Sequence, residues 1–304
     1  MTRRVAAIDC GTNSLRLLVA DVGERALTDV VRRMEIIRLG QGVDKTGRLA
    51  PEALDRMTAV LRDYAAVIKK TGASQVRMVA TSATRDAENA AEFVRRVEDV
   101  LGAPPEVLTG DAEARLSFTG ATAELDEAGP YLVTDIGGGS TEFVLGSPGG
   151  SDIRAISVDI GCVRLTERHL HGDPPAGAEI AAAVADIDAA LDVVATAIPV
   201  AQARTLIGLA GSVATVVGIA IGLVAYESER IHHASASAAD VHAVATSLLA
   251  QSSADRAMIG IMHPGRADVI GGGALVLDEI MRRFGFAEVL ASEHDILDGI
   301  ARAL

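Results

Sequence analysis

Tryptophan is absent from this sequence, and tyrosine and phenylalanine together number only eight among 304 residues. Aromatic rings that rare cannot carry a core, so burial has to come from Ala, Val, Leu and Ile. Cysteine is almost as scarce. Cys10 and Cys162 are too few for a disulfide framework and suit free thiols in a reducing compartment, which makes the cytoplasm the expected location. Positive charge is also short: 28 Lys and Arg stand against 41 Asp and Glu, a net charge of −13. That balance argues against the broad basic face of a nucleic-acid binder. A polyanionic ligand would have to find local Arg and Lys inside a repelling field.

Several signatures are missing too. The chain contains no Gly-x-x-x-x-Gly-Lys-Ser/Thr and no Gly-x-Ser-x-Gly, which disfavours a P-loop NTPase and an α/β hydrolase. Met-Thr-Arg-Arg at the start reaches Asp9 too soon for a signal peptide. One uncharged run, 205–226, has the length of a membrane span. Gly208, Gly211 and Ser212 break it near its start, so it reads as a strand at 205–207, a glycine turn and a buried helix at 213–224. No membrane partner is expected. His169 and His171, and the neighbours His232 and His233, lack a third ligand spaced for Zn²⁺ and read as surface residues.

What the chain does have is Asp135-Ile-Gly-Gly-Gly-Ser-Thr-Glu142. An apolar run leads into it and another leads out, which reads as strand, tight glycine turn, strand. Gly137, Gly138 and Gly139 carry no Cβ, so their backbone N–H groups can approach an anion closely. Ser140 and Thr141 add hydroxyls, and Asp135 and Glu142 put two carboxylates beside that cradle. Oxygen ligands next to a phosphate site are what Mg²⁺ uses. The pattern occurs earlier as Asp9-Cys-Gly-Thr-Asn-Ser14, where Asp9, Gly11 and Ser14 match Asp135, Gly137 and Ser140. A repeat so widely separated is not a solenoid. It predicts two similar domains, each offering one phosphate hairpin to a shared cleft.

Along the chain, strands are expected at 3–9, 15–22 and 27–39, with Arg16 as a solvent or cleft residue of the second. Gly40 to Gly47 reads as a loop. A helix is expected over 51–70, with Pro51 at its first position and Gly72 just past its end. A strand at 76–80, a helix at 86–101, a strand at 106–108 and a helix at 111–125 follow, the alternation of α/β architecture. Gly129-Pro130 reads as the domain border. Beyond the second hairpin come a strand at 153–158, a helix entered through Gly161-Cys-Val-Arg-Leu-Thr166, and a helix over 179–197. After the uncharged run the pattern predicts helices near 237–251 and 267–284, a strand at 286–291 and a helix over 295–304, capped by Ser292 or Asp295.

These motifs resemble the acetate kinase, sugar kinase, heat-shock chaperone and actin superfamily. Within it, the resemblance is closest to the exopolyphosphatase / guanosine pentaphosphate phosphohydrolase family. The residues that carry it are 9–19, Ala80-Thr-Ser-Ala-Thr-Arg-Asp-Ala-Glu-Asn89, Thr109-Gly-Asp-Ala-Glu-Ala-Arg-Leu116, 135–142 and Gly208-Leu-Ala-Gly-Ser212, in family order. At 304 residues the chain corresponds to the short, two-domain form. The resemblance implies two ribonuclease-H-like (actin-like ATPase) α/β domains with an interdomain cleft, 1–128 and 129–292. It also implies that a C-terminal helix at about 293–304 packs back on the first. It implies metal-dependent removal of terminal phosphate from inorganic polyphosphate or guanosine pentaphosphate, with Mg²⁺, or Mn²⁺ in its place, held by Asp135 and Glu142. Glu113, directly before Ala-Arg, takes the family's catalytic position. Acids in a first helix turn also serve the helix dipole, so position alone leaves that role open. Gly11, Thr12, Asn13, Ser14, Arg85, Gly137, Gly138, Gly139, Ser140, Thr141, Cys162, Gly211 and Ser212 are the implied phosphate-binding residues. A homodimer is a candidate assembly. The alternatives are a kinase or ATPase of the same superfamily, with Gly208 to Ser212 at its adenosine pocket, and a polyphosphate or nucleotide sensor without turnover.

Overall fold

A computed structural model describes residues 2–23, 27–125, 127–150 and 152–304. In chain order the first part supplies β1 (Arg3–Cys10), β2 (Ser14–Val22), β3 (Leu27–Ile36), α1 (Val43–Thr46), α2 (Pro51–Thr71), β4 (Gln75–Ala80), α3 (Ser82–Arg85), α4 (Ala90–Leu101), β5 (Glu106–Val107) and α5 (Gly110–Thr122). There follow β6 (Tyr131–Ile136), β7 (Thr141–Gly146), β8 (Arg154–Val158), α6 (Cys162–His169), α7 (Gly177–Ala197), β9 (Thr205–Leu209) and α8 (Ala210–Ala220). The last part holds α9 (Ser228–Ile231), β10 (Ser235–Ser237), α10 (Ala238–Ala250), α11 (Ser253–Ala257), α12 (Ile270–Phe284), β11 (Glu288–Ala291) and α13 (Ile296–Arg302). The chain up to Gly120 forms one unit together with Asp295–Leu304, and Ala121–His294 forms the other. The division falls ahead of Gly129-Pro130, near the end of α5.

The first unit is built on a sheet of order β3-β2-β1-β4-β5. Its hairpins β1–β2 and β2–β3 are antiparallel, while β1–β4 and β4–β5 are parallel. Both faces are covered, which is why β1 is apolar from Val5 to Ile8. Ala6, Ile8 and Cys10 pack with Leu54, Met57 and Leu61 of α2 and Phe93 and Val97 of α4. Val5 and Ala7 point the other way, into a cluster with Ile296, Leu297, Ile300 and Ala301 of α13. That helix lies very close to α5. A Cβ on Gly120 would come 1.8 Å from the Asp295 carbonyl oxygen, and one on Gly299 would come 2.1 Å from that of Leu116. Only glycine lets the two backbones touch.

The second unit repeats the plan. Its sheet runs β10-β11-β9-β6-β7-β8. Read from the other end, β8-β7-β6-β9-β11 has the antiparallel, antiparallel, parallel, parallel sequence of the first sheet, and β10 adds an antiparallel edge. Leu132, Ile136, Phe143 and Leu145 form its core with Ile187, Leu191 and Val194 of α7 and with α8, α10 and α12.

Three expectations change. The helix expected over 86–101 begins only at Ala90, as α4, and the short helix α3 lies ahead of it at Ser82–Arg85. Asn89 bonds the Leu49 main chain in both directions (2.8 and 3.0 Å) and the Glu88 amide donates to the Gly47 carbonyl, so a tertiary contact takes the residues that would have continued the helix. The uncharged run folds as β9 running directly into α8, and the left-handed residue there is Ala210 (φ 68°) instead of a glycine. Among the described residues, no helix is long and apolar enough to cross a membrane. The loop from Gly40 to Gly47 contains the short helix α1. Of the two possible caps for α13, Asp295 serves: its Oδ1 accepts from the Leu297 amide at 3.0 Å.

Candidate active site

The two Asp-x-Gly turns are closed by the same bond. The Gly11 amide donates to the Ser14 carbonyl, and the Gly137 amide to the Ser140 carbonyl, both at 3.0 Å. In the first turn, the Ile37 and Arg38 amides hold the Asn13 carbonyl and the Gly40 amide holds that of Thr12. In the second, the Cys162 amide takes the Gly137 carbonyl, and those of Val163 and Arg164 take that of Gly138. Arg164 adds its Nε to the Gly139 carbonyl. Each turn is thus fixed through its carbonyls. The amides of Thr12 and Asn13, and at the same places those of Gly138 and Gly139, have no acceptor among the described residues. Two adjacent N–H groups on a rigid turn are a cradle for an anion.

The hydroxyls are used differently from the simple expectation. Thr12 shares a hydrogen bond with Ser82 at 2.9 Å, Ser140 donates to Glu142 Oε1 at 2.8 Å, and Thr141 donates to the Ile160 carbonyl at 2.7 Å. These side chains brace the turns. Asn13 and Ser14 remain partly exposed, with no side-chain partner among the described residues.

The residues facing the two aspartates differ in sign. Across β1–β2, Asp9 is the register partner of Arg16; across β6–β7, Asp135 is the partner of Glu142. Arg16 donates Nε and Nη2 to Asp9 Oδ2 at 3.0 and 2.6 Å, and Nη1 to Asp295 Oδ2. Burial pushes the Asp9 carboxyl above its ordinary range; Arg16 opposes this and the Asp295 charge adds to it. Asp135 and Glu142, both buried, place like charges on neighbouring strands, an arrangement that costs stability by itself. Ser157 joins Ser140 in donating to Glu142 Oε1, at 2.7 Å. Among the described residues no three His, Cys, Asp or Glu side chains converge on a metal position. Two opposed carboxylates beside a phosphate cradle suit the way Mg²⁺ is held, by one or two carboxylates, phosphate oxygens and water.

In the first unit the structure brings Arg85 and Glu113 together. Arg85 Nη1 donates to Glu113 Oε2 at 3.2 Å and to the Leu108 carbonyl at 3.0 Å. The α3 segment that carries Arg85 also carries Ser82, the partner of Thr12. Glu113 is buried at 8% exposure in the first turn of α5, whereas Asp111, two residues earlier, is exposed and pairs with Arg115 at 2.9 Å. Helix phase separates the two acids.

In the second unit Cys162 and Ser212 are both buried and adjoin, and a Cβ on Gly273 would meet both. Burial pushes the Cys162 thiol up, against the Ser212 hydrogen bond and the Arg266 charge, so it stays a protonated packing group. The Arg266 guanidinium lies directly on Gly211, where any Cβ would come 2.0 Å from its Cζ. Arg164, Arg266 and Ser157 in the second unit and Asp295 in the first adjoin candidate residues; the sequence points to Asp295 only as a helix cap and to none of the other three. His263-Pro-Gly-Arg266, a turn ending in a cation before the glycine-rich start of α12, was the available signal for Arg266.

Two α/β units of one strand plan, each with an Asp-x-Gly turn, define a protein of the actin-like ATPase fold. The chain matches the Ppx/GppA phosphatase family over residues 18–301, and it belongs to that family. It is 49% identical to Exopolyphosphatase 2 of Mycobacterium tuberculosis (strain H37Rv), covering 99% of this chain and 98% of that protein. It is also similar to a family member from Aquifex aeolicus of known crystal structure, with 28% identity, a TM-score of 0.82 and coverage of 100% and 97%. An exopolyphosphatase from Cytophaga hutchinsonii has 25% identity, a TM-score of 0.90 and coverage of 98% and 96%. Phosphatases of this family are metal-dependent in general.

Proposed function

We propose that this protein is an exopolyphosphatase, hydrolysing the terminal phosphate of inorganic polyphosphate. The observation that carries the reading is the turn built twice, each time with two amides that have no acceptor among the described residues, once beside a pair of opposed carboxylates. The amides of Thr12, Asn13, Gly138 and Gly139, with Asn13, Ser14 and Arg85, hold phosphate oxygens. Glu113 orients a water and takes its proton as the water oxygen bonds to the terminal phosphorus. The bridging P–O bond breaks, and the shortened chain leaves with the bridging oxygen. Asp135 and Glu142 hold Mg²⁺, or Mn²⁺, which when bound neutralises charge on the phosphate oxygens. A phosphate that draws the Arg85 guanidinium from Glu113 leaves that carboxylate to the water. Gly211, Ser212 and Cys162 are read as phosphate-binding residues of the second unit. Cys10 and Cys162 are free and buried, which supports a reducing compartment such as the cytoplasm.

The test is phosphate release from long-chain polyphosphate, guanosine pentaphosphate and ATP, each with and without Mg²⁺ or Mn²⁺. Metal-dependent release from polyphosphate is expected. Release from guanosine pentaphosphate alone would transfer the proposal to that substrate. Turnover of ATP alone would favour the kinase or ATPase reading, which the family does not. Binding without release from any of the three would make the protein a sensor.

A further inference from the structure

We propose that Asp295 is a positioning residue for the first phosphate turn: it tethers the Arg16 guanidinium so that its charge stays against Asp9. The proposal rests on the reading of that turn as a phosphate site. Asp295 is 5% exposed and its two oxygens have separate duties. Oδ1 caps α13 through the Leu297 amide, and Oδ2 accepts from Arg16 Nη1. Capping does not need a charge, since Asn and Ser cap as well as Asp. A buried second carboxylate on one guanidinium is costly unless the contact it makes is used. What it fixes is the cation opposite Asp9, one strand position beyond the hairpin turn that presents the Thr12 and Asn13 amides. Without the tether, Arg16 keeps two nitrogens on one oxygen of Asp9 and can swing away when a polyanion approaches. Asp9 Oδ1, buried and without a partner among the described residues, would then stand as an unneutralised charge next to the turn. The tether arrives from the far end of the sequence, 279 residues away, on the helix that closes the second face of the first unit's sheet.

The chemistry offers a selective variant. Asp295→Asn keeps an oxygen for the Leu297 amide but turns an NH₂ toward Arg16, which cannot accept. The control lies in the same helix. Asp298 accepts from the Asp295 amide at 2.9 Å and pairs with Arg32 at 2.6 Å, without touching Arg16. Asp298→Asn therefore loosens the helix start but leaves the tether. The experiment measures polyphosphate hydrolysis and melting temperature for the intact wild-type protein, Asp295→Asn, Asp298→Asn, Arg16→Gln and the Arg16→Gln/Asp295→Asn pair. Asp295→Asn is expected to lower kcat about tenfold, as a modest misplacement would, with no rise in KM because one repelling charge is gone. Asp298→Asn should stay within about twofold in kcat whatever its melting temperature. In the Arg16→Gln background Asp295→Asn should add nothing, the signature of coupled residues. Wild-type kcat in Asp295→Asn, an equal loss in Asp298→Asn, or a further tenfold loss in the double variant would each overturn the proposal. If the wild type itself releases no phosphate, the functional reading fails instead. The tether is then judged by solvent exchange of the Arg16 Nε–H in NMR. Faster exchange in Asp295→Asn upholds it, and unchanged exchange overturns it.

Discussion

Replacing Glu113 by glutamine separates chemistry from binding. Glutamine has nearly the same size and keeps an acceptor oxygen for Arg85, so the contact at 3.2 Å survives as a hydrogen bond without charge assistance. Charge-assisted bonds contribute about 1 kcal/mol more than neutral ones, and a first-turn acid adds at most about 1 kcal/mol of dipole energy. The expected stability loss is therefore about 1–2 kcal/mol, from which the protein still folds. The expected catalytic loss is far larger, about 10²–10⁴ in kcat, the contribution of a positioned general base. Polyphosphate binding should hold or tighten, since a carboxylate that repels the anion is removed. Asp111→Asn is the internal control. Asp111 is exposed and its i,i+4 pair with Arg115 is worth about 0.3–0.5 kcal/mol, so its turnover should match the wild type. Phosphate release, thermal melts and titration of polyphosphate on both variants make the comparison. Near-native turnover in Glu113→Gln would remove it as the base, and a dead Asp111→Asn would refute the helix-phase argument.

Asp135→Asn should raise the Mg²⁺ concentration needed for half-maximal activity, and weaken Mn²⁺ binding followed by titration, much more than Asp9→Asn, because only Asp135 faces a second carboxylate; equal shifts would sink the asymmetry. Gly299→Ala should cost about 1–3 kcal/mol, as overpacking does, because its Cβ would sit 2.1 Å from the Leu116 carbonyl oxygen; an unchanged denaturation midpoint would contradict the close helix crossing. Hydrogen bonds from the Ser253 hydroxyl and amide hold the Asp173 carboxyl below its ordinary range. Its contribution is therefore present above the usual carboxylate pKa of about 4 and lost as pH falls through the lowered value. Asp173→Asn should melt below the wild type at pH 7, with the gap closing toward pH 3; a gap that widens in acid has the wrong sign.

Much of the fold was legible because local chemistry and tertiary demand agreed. Pro51 and Gly72 mark the ends of α2, and the apolar run before Asp9 suits a strand covered on both faces. Where they disagreed, sequence reading failed for nameable reasons. Asn89 looks like an interior helix residue until the Leu49 main chain, forty positions earlier, claims its side chain. Ser140 and Thr141 read as phosphate donors because their hydroxyls are polar and near glycine, and Thr12 through the family resemblance. Ser82 and Ile160, the partners of Thr12 and Thr141, come from distant parts of the chain, and Glu142, the partner of Ser140, lies two residues on at the start of β7.

The division of labour between the turns was half visible in the same way. Arg16 and Glu142 follow their aspartates at equal spacing, so the sequence shows that the two motifs differ in sign. The strand register adds that each residue stands directly across from its aspartate. In the first unit that juxtaposition neutralises the carboxylate internally, and Asp295 completes the arrangement. In the second it sets two buried carboxylates opposite each other, the arrangement on which the proposed metal role rests. One hairpin plan, changed at a single register position, thus yields a turn whose aspartate faces an arginine and a turn whose aspartate faces a glutamate.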